Sequence, residues 1–63
     1  MNNASYRYAV KWIALNDSWG DPEALDPESV QHQITVVLIA DLFGVLREKV
    51  AQDVVKERKK HDS

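Results

Sequence analysis

At 63 residues the chain is one domain at most, and a chain this short buries only about 60% of its unfolded surface, which leaves little stability in reserve. It has no cysteine, so disulfides and thiolate metal sites are excluded, and two histidines are too few for an all-histidine structural metal site. The net charge is −2, but the distribution is more informative than the total. No basic residue lies between Lys11 and Arg47, while Asp17, Asp21, Glu23, Asp26, Glu28 and Asp41 all do. The tail from Lys56 to Lys60 is basic, as suits the last turn of a helix, whose dipole it complements. The longest unbroken apolar run, Val36 to Ala40, is far short of the roughly 18 residues that cross a bilayer. Asn2, Asn3, Arg7 and Lys11 interrupt the first fifteen residues, so no signal peptide is expected and no membrane partner.

The spacing predicts an all-α protein, a compact three-helix domain with helices at about 4–16, 27–43 and 46–61, associating through its apolar second helix. In the first segment Tyr6, Ala9, Val10 and Ile13 line one side, with Tyr8, Trp12 and Leu15 beside them. Arg7 and Lys11 are left on a narrow polar strip. Residues 17–25 read as an acidic linker containing Gly20 and Pro22, in which Asp21-Pro22 starts a single abortive turn. Trp19 there is either a lid folded onto the core or a contact anchor.

The second segment carries the strongest end signals. Asp26 is an N-cap type, Pro27 fits the first helical position, Leu25 and Val30 stand at staple positions, and Gly44 is the expected stop. At about 100° per residue, Val30, Ile34, Val37, Leu38 and Leu42 fall on one arc with Asp41 near its middle. Val36, Ile39, Ala40 and Phe43 fall opposite. A buried strand over residues 34–39 is the competing reading, because the stretch is β-branched, but length and both end signals favour helix. Two flanking helices cover one arc; the other asks for a partner. Ile34, Val37, Leu38, Asp41 and Leu42, helped by Trp12 or Tyr8, are therefore the expected oligomer interface. Asp41 there either pairs, with Arg47 or with another chain, or lies solvated at the rim. In the third segment Leu46, Val50 and Val54 make an i, i+4 seam widened by Ala51 and Val55, with charged residues opposite and residues 56–63 as a basic tail.

Ala40 to Val55 resembles the core of a helix-turn-helix motif: a small residue at Ala40, the turn glycine Gly44, then apolar Val45, Val50 and Val54. That resemblance implies a DNA-binding regulator with Arg47, Glu48, Lys49 and Gln52 toward the major groove and Lys56 with the tail on phosphates. Leu46 stands where such motifs usually have a Ser or Thr cap, and the chain is acidic, so a plain helical hairpin closed by a glycine is preferred. Over nearly the whole chain, Tyr8 to Asp17 (YAVKWIALND), the acidic linker, ADLFG and VAQDVV resemble short uncharacterised bacteriophage and prophage proteins. The resemblance implies an accessory role in the cytoplasm of a bacterial host, regulating genes or binding and disabling a host component such as a defence system.

No nucleophile–base pair, phosphate-cradling loop or paired carboxylates stand out, and Glu28 with His32, spaced i, i+4, lack a third metal ligand. The expectation is a protein that is no enzyme and needs no cofactor. It acts by binding, as a homo-oligomer with a host protein as partner. DNA through Arg47, Lys49 and Gln52 is the alternative, and a small charged ligand held between subunits is a third. Trp19, Arg47, Glu48, Lys49, Gln52 and Lys56 are the candidate partner contacts.

Overall fold

Helices form where the apolar spacing asks for them, although not every helix end falls at a residue that cannot continue it. The computed structural model describes residues 3–16 and 19–62, and no strand occurs among them. They form α1 (Asn3–Asn16), a 3-10 turn (Pro22–Ala24), α2 (Pro27–Val30), α3 (Ile34–Phe43) and α4 (Arg47–Asp62). Residues 17 and 18 of the expected acidic linker, and residue 63 of the basic tail, lie outside the described residues.

The expectation of three helices is corrected to four, because the segment 27–43 is two helices separated by the turn Gln31–His32–Gln33. The reason lies in Val30. On one straight helix it would sit about 120° from Val36 and share an arc with Ile34. In the folded chain Val30 and Val36 are both fully buried while Ile34 is exposed. The break turns Val30 inward, so that both valines enter one core. Asp26 caps α2 as its type suggests, its side chain accepting from the Glu28 amide at 3.2 Å. Gln33 caps α3 with extended backbone and no side-chain bond.

Gly44 ends α3 in the left-handed region at φ 67°, where a side chain would be strained. Beyond it the Val45 amide donates to the Ala40 carbonyl at 3.0 Å, closing a Schellman-type turn. The Asp21 side chain likewise accepts from the Glu23 amide at 3.0 Å, and the chain makes its single short turn there.

The core is small and aliphatic. α4 contributes Val50, Ala51, Val54 and Val55; α1 contributes Val10, Ile13 and Ala14; α3 contributes Val36, Ile39 and Ala40. Leu46, expected in the α4 seam, precedes that helix and is exposed, while Val45 packs against the core instead. α1 and α4 make the most extensive helix contact. Tyr6 closes its edge, meeting Phe43 edge-to-face at 5.6 Å and 76°.

Candidate binding surfaces

Once α3 has turned Val36, Ile39 and Ala40 inward, its opposite side faces out. Ile34, Leu38 and Leu42, spaced i, i+4, i+8, are 72%, 60% and 67% exposed. Leu46, past the glycine turn, is 76% exposed. Asp41 is exposed, and Val37 lies half-buried at the margin between the outer row and the core. Trp12 is not on this helix: it stands on α1 with Tyr8 and Leu15, all three turned away from the core residues of that helix.

The other singled-out residues scatter. Trp19 folds back onto the core, its indole N–H donating to the Ile13 carbonyl at 3.2 Å. Arg47, Glu48, Lys49 and Gln52 are all exposed on the first turns of α4. Glu48 and Gln52 share a shallow depression of about 280 Å³ with Glu28 and Gln31, so two carboxylates stand at the site that the helix-turn-helix reading would give to DNA. Lys49 is engaged by Asp53 one turn on, at 3.2 Å. Lys56 lies farther along α4, where it shares a groove beside α1 with Lys49.

Tyr6 and Asp53, which sequence reasoning passed over, are joined by a 2.6 Å hydrogen bond in which the phenol donates to the carboxylate. Burial first, then that bond and the negative charge of Asp53, hold the Tyr6 proton well beyond the usual tyrosine range. The bond joins α1 to α4. The sequence carried half of the signal: Tyr6 falls on the apolar side of its segment, whereas Asp53 counts there among the charged residues opposite the α4 seam.

The pair forms one wall of a groove of about 400 Å³ between α1 and α4, completed by Arg7, Lys49, Lys56 and Glu57. Glu57 reaches the His61 ring at 3.1 Å. Glu28 and His32 do not share a helix, because α2 ends at Val30. Among the described residues no group of three His, Cys, Asp or Glu is gathered to hold a metal ion, and no helix is long and apolar enough to cross a membrane. Comparison with protein-family models, curated proteins and solved structures finds no match to this chain.

Proposed function

We propose that the protein acts by binding rather than by catalysis, as a homo-oligomer joined along the outer row of α3, with the assembled surface engaging a protein of a bacterial host. The observation that supports this is the row Ile34, Leu38 and Leu42, a set of large aliphatic side chains on one helix face that the monomer leaves in water. Removing such a side chain from water is worth about 1.5 to 3 kcal/mol when complete. Association itself costs at least about 4 kcal/mol. Two copies laying the same row against each other would together offset that cost, and an i, i+4 ridge packs naturally against its own copy about a two-fold axis. The host-protein partner rests on the likeness to short phage and prophage proteins, in which accessory binding roles are expected.

This reading is favoured over DNA binding by Glu28 and Glu48, whose carboxylates flank Gln52 and would repel phosphate. The test is the mass of the protein and of Leu38→Glu by light scattering. The wild type should exceed one chain and the variant should fall to one chain with its helix content intact. Equal masses for the two would reject this contact surface.

A further inference from the structure

All eight basic residues of the chain lie on α1 and α4, the two helices that pack most extensively together. Folding therefore concentrates positive charge that the sequence spreads over both ends. Three adjoining hollows follow α1, the first two of them against α4. The first is the 400 Å³ groove, with Arg7, Lys49 and Lys56 on its walls. The second, about 330 Å³, shares Arg7 and Glu57 with the first and adds Tyr8 and Lys11. The third, about 230 Å³, shares Tyr8 and Lys11 with the second and adds Trp12 and Leu15.

The charges in these hollows do not cancel. Asp53 is occupied, accepting from the Tyr6 hydroxyl and from Lys49. Arg7, Lys11 and Lys56 form no ion pair among the described residues. Glu57 is the one opposing carboxylate at the junction, where it also meets the His61 ring at 3.1 Å. Beside these cations stands Tyr8, a ring 72% exposed, with Trp12 next to it. Cations that are unpaired and aromatic faces that are uncovered, alternating along one channel, are what a phosphate-bearing chain of bases requires. The phosphate takes the guanidinium and ammonium groups, and the base stacks on the ring.

The geometry points to this α1–α4 channel as a binding site for nucleotides, with phosphate on Arg7, Lys11 and Lys56 and a base stacked on Tyr8. An inorganic anion satisfies only the first half of the site and a hydrocarbon only the second. A free nucleotide and the end of a single strand carry the same chemistry, and binding measurements separate them. None of these residues belongs to the α3 row. The site can therefore be measured in the Leu38→Glu variant, and it stands or falls independently of self-association.

The experiment is a titration of isotope-labelled protein, followed by amide chemical shifts, with ATP, a ten-residue thymidine oligonucleotide and inorganic phosphate in separate arms. ATP or the oligonucleotide should move the amides of Arg7, Tyr8, Lys11 and Lys56, and the tighter of the two identifies the source. Tyr8→Leu should weaken that binding about fivefold or more, the low end of a base-stacking contribution. Arg7→Ala should weaken it by a similar factor and lower its salt dependence by about one unit. Glu57→Gln should strengthen it, and that gain cannot come from misfolding. Three results would overturn the site: no response to ATP or oligonucleotide at millimolar concentration, a response confined to Lys59 and Lys60, or phosphate binding as well as ATP.

Discussion

The hydrogen bond from Tyr6 to Asp53 ties together residues 47 positions apart, and one proton carries much of its effect. The folded chain keeps that proton beyond about pH 10, where an unfolded tyrosine releases it. The unfolded state then binds fewer protons than the folded one, so stability should be unaffected through neutral pH and fall as pH rises above about 10. Tyr6→Phe keeps the ring against Phe43 but loses the bond. It should lower stability at neutral pH by about 1 kcal/mol in urea unfolding, and its alkaline decline should be shallower than that of the wild type. Superimposable alkaline profiles would contradict the assignment. Gly44 is the other residue on which geometry presses. Its φ of 67° is strained for a side chain, yet a Cβ there would meet nothing within 4 Å. Gly44→Ala should therefore lose about 1 kcal/mol through backbone strain alone, and Gly44→Asn less, because asparagine tolerates the left-handed region. Equal losses in a thermal melt would mean that something other than the turn conformation is disturbed. Gly44 was legible in the sequence because a glycine after an apolar run has a local reason to be there. The Tyr6–Asp53 pair was not, because it exists only where α1 lies along α4.

At the scale of elements, the ends of the helices were readable and the break between two of them was not. Asp26, Pro27 and Gly44 act through bonds to their own neighbours, so their meaning survives without the fold. Gln31, His32 and Gln33 include no glycine or proline, and nothing local forbids a continuous helix there. What interrupts it is the requirement that Val30 and Val36 reach the same core, a demand made by the other helices. A direct check follows from the capping position of Gln33, which has extended backbone and no side-chain acceptor. Gln33→Asp should supply that acceptor and a charge favourable to the dipole of α3, raising stability by about 0.5 to 1 kcal/mol. Within an unbroken helix the same aspartate would be a poor helix former and would lower stability. The sign of the change in melting temperature decides between the two.

For the molecule as a whole, the radius of gyration of 10.6 Å is what a compact chain of this length has, about 10.6 Å. The exposed row on α3 is therefore not the result of a loosely folded monomer. It belongs to a domain whose core is already closed, built largely from valine and alanine with two isoleucines, and none of its leucines is buried there. For residues 34–43 the inward and outward sides could be read from the spacing, whereas Val30, which the spacing puts on the outer arc, is buried in the core. The cationic channel could not be read in the same way, because Arg7 and Lys56 become neighbours only through the packing of α1 on α4. Sedimentation equilibrium of the wild-type protein, from low to high micromolar concentration, tests the outer row most directly. A mass that rises with concentration above the 7.2 kDa of one chain, and that Leu38→Glu holds at 7.2 kDa, is the predicted result. A wild-type protein that stays at 7.2 kDa through high micromolar concentration would contradict it.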